Sequence, residues 1–194
     1  MKLLDVIIKL VDPYVNDLSL IKAGVNGPYN HKETLARNYS HWIVTFSKLF
    51  HYTDDIKYFK AIEKLSTKLI SSHFRPNGYS FYCRNVTGKD SCNGLIGQAW
   101  VFEALYVCYK TLKDDKFQRL AEDVFNQHKF NHENGLWLTL DIDGKSIEID
   151  AAFNHQLWFA YAAAKIIPKS NSNFKNINIF LDKIKFNLKL IENG

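Results

Sequence analysis

Residues 93–109 read Asn-Gly-Leu-Ile-Gly-Gln-Ala-Trp-Val-Phe-Glu-Ala-Leu-Tyr-Val-Cys-Tyr, with Glu103 the sole formal charge. The run has the length of a helix and is apolar on nearly every side. Such a helix is tolerated outside a membrane only when other helices surround it. Trp42 and Trp158 stand 58 residues before and 58 residues after Trp100, and each opens a similar stretch. Trp42, Ile43, Phe46, Leu49 and Phe50 give a helix over 35–51, and an alanine-rich helix runs from Phe153 to Ile167.

Outward from each of these helices comes a polar break and then a helix with a single apolar stripe. Thr53-Asp54-Asp55 and Lys113-Asp114-Asp115 are breaks whose carboxylates suit the cap of the next helix. The striped helices are expected over 56–71 (Phe59, Ile62, Leu65, Leu69), 117–127 (Leu120, Ala121, Val124, Phe125) and 176–190 (Ile177, Phe180, Ile184, Leu188, Ile191). Gly78 and Gly135, each preceded by Asn, introduce strand-like stretches at 79–83 and 136–140, with a turn expected between 128 and 134. The second stretch forms a hairpin with 146–149 around Asp143-Gly144. Upstream, a short helix over 3–11 stops near Pro13, and residues 24–32 have turn composition. A period near 58 with two helices per unit describes an array of helical hairpins, about 35–83, 93–140 and 153–194, in one all-α domain over 1–194.

Hydrophobic residues at 46% and aromatic residues at 14% exclude a disordered or collagen-like chain. Asp5, Lys9 and Asp12 interrupt the apolar start, so no signal peptide is read; no run approaches a membrane span, and the expected address is the cytoplasm. Of the net charge of +5, most resides in residues 165–194, which hold six lysines against Asp182 and Glu192. That is the pattern of a solvated helix face, and no nucleic-acid motif accompanies it, so neither a nucleic-acid nor a membrane partner is expected. Cys83, Cys92 and Cys108 lack metal-site spacing, although Cys83 and Cys92 flank a loop across which they could pair if oxidised. No phosphate loop, nucleophile elbow or HExxH is present, and no metal or other cofactor is expected.

Trp42-Ile43-Val44-Thr45-Phe46 with Tyr58 and His73-Phe74-Arg75, Gly97-Gln98-Ala99-Trp100 with Glu103-Ala104-Leu105, and Asn154-His155-Gln156-Leu157-Trp158 together resemble the six-hairpin (α/α) toroid superfamily. That group holds N-acylglucosamine 2-epimerase-like proteins, unsaturated glucuronyl hydrolases and several polysaccharide lyases. The resemblance covers about residues 35–194. It implies a funnel for a carbohydrate substrate, lipped by the loops and first turns that lead into the inner helices, whose free N–H groups suit an anionic sugar. The chain departs from a closed ring in having three hairpins where six are needed. Two copies completing a ring as a homodimer, a missing second half, and an open ring covered otherwise are the three solutions.

Candidate residues follow from this placement. Arg37 and His41, four apart on one helix face, are read either as a carboxylate grip with a proton carrier or as structural members of the bundle. Asn154 and His155 resemble the Asn-His segment of toroid lyases, which implies carboxylate neutralisation by Asn154 and proton abstraction by His155. Asn38 holds the same register to its tryptophan as Asn154, so an architectural role stands beside that one. Asp90 and Asp150 occupy corresponding loops, where two carboxylates facing one funnel would serve glycoside hydrolysis and two turn-forming aspartates would not. Gln98, inside an apolar helix, needs a partner that a funnel would supply, and Asn93 begins the same helix. Trp137 and Tyr82 are candidate sugar-stacking platforms or core aromatics. The resemblance therefore implies acid/base chemistry on a uronic or amino sugar, with glycosidase-type hydrolysis first and epimerisation beside it. A non-catalytic sugar- or protein-binding half-toroid and β-elimination on a uronate polymer are the alternatives.

Overall fold

The structure, a computed structural model, describes residues 3–26 and 30–192. Along them run α1 (Leu3–Asn16), β1 (Val25–Asn26), β2 (His31–Lys32), α2 (Leu35–Thr53), α3 (Ile56–Leu69), α4 (Gly94–Leu112), α5 (Lys116–Gln127), β3 (Phe130–Asn131), β4 (Leu136–Leu140), β5 (Ser146–Ile149), α6 (Phe153–Ile166) and α7 (Phe174–Glu192). The protein is mostly helical, with an antiparallel sheet in the order β3-β4-β5 and a minimal β1-β2 pair.

α4 is the centre. Leu95, Ala99, Val101, Phe102, Ala104, Leu105 and Cys108 are all fully buried, because α2 packs on one side of the helix, α6 on another, and α3 and α5 close the rest. The flanking helices show why the sequence alternates all-apolar and striped segments. α3 buries Tyr58, Ala61, Ile62, Leu65 and Leu69 along one face, and α5 buries Phe117, Ala121, Val124 and Phe125. Each of these helices turns its charged residues to water.

The breaks do what their composition suggests. Asp54 adopts a left-handed conformation that ends α2, and Asp55 accepts the Lys57 N–H at 3.0 Å to start α3. At the second break Lys113 takes the left-handed position, and Asp114 accepts the Lys116 N–H at 2.9 Å. Each tryptophan meets the helix before its own. Trp42 lies against Tyr14 of α1 with ring centroids 4.6 Å apart, Trp100 lies under the Arg37 guanidinium of α2 at 4.4 Å, and Trp158 shares a groove with Glu103 of α4.

Several local expectations are corrected. α1 does not stop at Pro13 but carries it in its last turn, because Val11 and Val15 are buried on the same face and their packing outweighs one missing backbone bond. Residues 79–83 form no strand: the Gln98 side chain takes the backbone groups of Phe81, loop backbone bonds from Tyr82 to Phe74 and from Cys83 to Ser91 hold the rest, and Arg84 makes a single bridge to Glu33. Within the expected turn 128–134, Phe130–Asn131 pairs with Trp137 and Leu136. Leu188 is exposed, off the apolar stripe of α7, while the side chain of Ile191 lies outside the described residues. Gly27, Pro28 and Tyr29, in the stretch with turn composition, also lie outside them.

Candidate functional site

Where the first turns of α4 and α6 meet the β4–β5 hairpin, a cleft of about 270 Å³ opens, lined by Arg84, Asp90, Asn93, Gly94, Thr139, Glu148, Asp150 and His155. Of the residues singled out from sequence, Asp90, Asn93, Asp150 and His155 meet here. Arg84, Gly94, Thr139 and Glu148 join them without any pattern in the sequence that would have marked them.

Asp150 is the hub. One of its oxygens accepts the Leu95 N–H of α4 at 3.1 Å, and the other accepts the Ala152 N–H at 3.1 Å. His155 Nδ1 lies 3.1 and 3.0 Å from the two oxygens. Burial pushes the Asp150 carboxyl upward. The bonds from His155 and the two amides outweigh it and hold the group below its ordinary value. An ionised Asp150 assigns the proton of a neutral His155 to Nδ1 and leaves Nε2 as the basic nitrogen. Gly94 closes the arrangement. It has φ +59°, and a Cβ there would stand 2.6 Å from Asp150 Oδ2.

Asp90 sits beside this pair on the neighbouring amide, accepting the Gly94 N–H at 2.8 Å and the Cys92 thiol at 3.1 Å while ion-paired to Arg84. The two carboxylates therefore hang from consecutive amides of α4. They also occupy the N–H groups that the toroid resemblance left free for an anionic sugar, which corrects that expectation. With Glu148 added, the cleft is acidic. Asn93, only 5% exposed and left-handed at φ 59°, contributes a side-chain Nδ2 without a hydrogen-bond partner.

The other candidates go elsewhere. Asn154 does not line the cleft with His155: consecutive residues on a helix point about 100° apart, and Asn154 lines an apolar groove with Glu103, Leu157, Trp158 and Tyr161. Arg37 is gripped by Glu33 at 2.6 and 2.7 Å, and it covers Trp100, so its charge is spent within the fold. His41 lies at the surface against Trp100, away from the cleft; partial desolvation and the Arg37 charge lower its pKa. Trp137 is no platform. It is fully buried among Phe125, Phe130, Phe159 and Phe180, because alternation along β4 turns it to the core. Tyr82 is half-buried and outside the cleft, where its carbonyl accepts the Thr34 hydroxyl.

Gln98 faces no funnel either. Its Oε1 accepts the Phe81 N–H at 2.8 Å, and its Nε2 donates to the carbonyls of Phe81 and Cys92 at 3.1 and 3.0 Å. Gln156 repeats the device: Oε1 accepts the Trp137 N–H at 3.0 Å, and Nε2 donates to the carbonyls of Trp137 and Asp150 at 2.9 Å each. The 58-residue offset between these glutamines is the signal that would have identified both as architecture. Cys83, Cys92 and Cys108 are free and buried, and burial raises all three thiols, Cys108 to about 12. No group of three or more metal-ligating side chains occurs among the described residues.

The chain is similar to archaeal glycosylation protein Q of Haloferax volcanii. The two are 41% identical over 175 residues, which is 89% of this chain and 47% of the relative. The chain thus spans about half the length of the curated relative it matches. No protein-family model matches the chain, and no solved structure matches it. Among the described residues, no helix is long and apolar enough to cross a membrane.

Proposed function

We propose that the chain is an arc of an (α/α) helical toroid that acts on a uronic or amino sugar, with His155, oriented by Asp150, as the group that moves a proton. The observation that carries this reading is the Asp150–His155 pair within an otherwise acidic cleft. With Nδ1–H donated to Asp150, the Nε2 lone pair can take a proton from a sugar carbon or hydroxyl, and the carboxylate stabilises the imidazolium that forms. The relative's name refers to glycosylation, which agrees with a sugar as substrate. In this part of the site the acidic lining favours the hydroxyl and amino groups of a sugar as ligands.

Isomerisation fits this geometry best, since one base can take a proton from one sugar carbon and deliver it to the neighbouring carbon on the same face. Epimerisation by the same base needs in addition a proton donor on the opposite face or a turn of the planar intermediate before the proton returns. Hydrolysis, the activity expected first from the sequence, ranks second. Asp90 and Asp150 do stand side by side, as a carboxylate pair would. Each is already bonded to amides and to Arg84 or His155, however, which is a setting for two anions and not for a protonated general acid.

The test uses a set of uronic acids and N-acetylated amino sugars in D2O, with proton NMR following exchange at sugar carbons. Exchange by the wild type that is lost in His155→Ala and weakened in Asp150→Asn supports the reading. Turnover unchanged in His155→Ala overturns it. New reducing ends without deuterium uptake would indicate hydrolysis, ultraviolet absorbance of an unsaturated end would indicate β-elimination, and binding without turnover would indicate a binding module.

A further inference from the structure

The bonding around the cleft commits some of its polar groups and leaves others idle. Asp90 accepts the Gly94 N–H, and Asp150 accepts the Leu95 N–H that an N-cap side chain ordinarily takes. Asn93, at the N-cap of α4, therefore makes no capping bond. Its Nδ2 is buried without a hydrogen-bond partner, although the residue lines the cleft. Thr139 lines the same cleft from β4 and is 6% exposed, and its hydroxyl has no hydrogen-bond partner among the described residues. Alternation along β4 gives Thr139 the face of Trp137, so the strand carries a hydroxyl in a register that two residues earlier is aromatic core.

A left-handed backbone explains why residue 93 is Asn in preference to most side chains, but not why its amide is sealed without a partner. Glycine satisfies φ 59° without burying an amide. On β4, an apolar β-branched residue fills the place of Thr139 without burying a hydroxyl. A buried polar group left unpaired is costly, so two of them in one cleft of about 270 Å³ mark where an oxygen of a ligand completes the bonding. The remaining polar groups there are accounted for. Arg84 holds Asp90 through Nε and Nη2, and Asp150 holds His155.

We infer that Asn93 Nδ2 and Thr139 Oγ1 donate to the carbonyl oxygen of an open-chain sugar and to the enediolate oxygen it becomes; the inference rests on the reading of His155 as the base. His155 Nε2 takes the proton from the carbon beside the carbonyl. The C–H electron pair becomes a C=C bond, and the carbonyl π pair moves onto its oxygen. Passing the neighbouring hydroxyl proton to that oxygen, and returning the imidazolium proton to the former carbonyl carbon, completes an isomerisation without a co-reactant. The oxygen that gains the charge only accepts, and so do Asp90, Asp150 and Glu148. With Arg84 held by Asp90, the amide and the hydroxyl are the donors that stabilise it.

The experiment follows deuterium exchange by proton NMR on a sugar that the wild type accepts, giving kcat and KM for Asn93→Gly, Asn93→Asp, Thr139→Val and His155→Ala. Melting temperatures establish that each variant is folded. Calorimetry compares binding of D-arabinonohydroxamate, a planar mimic of an enediolate, with D-arabinitol, which has no carbonyl. In each Asn93 and Thr139 variant kcat should fall roughly 100-fold while KM changes less than about threefold. Asn93→Gly should melt at or above the wild-type temperature, and all three variants should lose the wild type's preference for the hydroxamate. A lower melting temperature with unchanged kcat in the Asn93 variants makes the residue purely structural and overturns the inference. Exchange lost in His155→Ala but kept at full kcat in Asn93→Gly and Thr139→Val also overturns it, and leaves the reading of His155 standing. Exchange absent from the wild type on every sugar removes that reading. The hydroxamate then decides: a preference lost in the variants supports the two donors, and no preference in the wild type overturns them.

Discussion

At the start of α4, Gln98 clasps the backbone of Phe81 and Cys92; at the start of α6, Gln156 clasps Trp137 and Asp150 with the same three bonds. The scaffold is common, but what it displays is not. The second hairpin places the buried Cys92 thiol where the third places the Asp150 carboxylate, and Gly97 where the third places His155. Gly97 has no room for a side chain, as a Cβ would collide with the Cys92 carbonyl. A repeat that needs a glycine at one turn accepts an imidazole at the next, where it lines the cleft. On the proposed reading, chemistry resides in the residues that break the repeat, and stability in those that keep it.

The comparison can be broken most directly at the glutamines. Gln98→Ala and Gln156→Ala should each leave three buried backbone groups unsatisfied and cost about 3–5 kcal/mol in urea unfolding. A large cost at one and none at the other would show that the two clasps are not equivalent. His155→Ala should lower turnover on an accepted sugar roughly 100-fold or more while changing the unfolding midpoint little, because the ring is partly exposed. A large stability loss with residual full activity would return His155 to the scaffold.

The next effect belongs to a buried histidine outside the cleft. Desolvation lowers the pKa of His128 to about 4, only partly offset by its bond to the Val124 carbonyl. Its unfolded form takes up a proton near pH 6.5, so between that value and about 4 the unfolded state binds more protons. The associated stability is complete above pH 6.5 and falls away as the solution is acidified, by on the order of 3 kcal/mol in all. His128→Gln should flatten the dependence of melting temperature on pH across that window. The smallest effect sharpens the contrast from inside one turn: Asn154→Ala, adjacent to His155 but in another groove, should change both stability and turnover negligibly, within about 0.5 kcal/mol.

The helices were legible because burial on a helix is periodic and the period survives in the sequence. The all-apolar stretch of α4, the Asp caps after α2 and α4, and the Asp143-Gly144 hairpin all lie where their residues indicated. Local rules failed where a distant partner intervened. Residues 79–83 have strand composition, yet Gln98 takes the backbone groups of Phe81, and Tyr82 and Cys83 bond to the loop backbone of Phe74 and Ser91 instead of to a strand. Pro13 signals an end, yet burial of Val15 carries α1 past it. Among the candidate polar residues, sequence offered Asn154 and His155 as one cluster, and the helical rotation between them sent them to different surfaces.

By itself the sequence determined the order of elements and the 58-residue rhythm, since both depend on spacing along the chain and on which side chains avoid water. Only the tertiary structure decided which polar groups share a cleft. Asp90 and Asp150 are 60 residues apart in the chain, and it is the first turn of α4, offering the Gly94 and Leu95 amides in succession, that brings them together. The same packing buries Gln98 and Trp137 as structure, because a hydrogen bond or an aromatic contact depends on where a side chain lies and not on its place in the sequence.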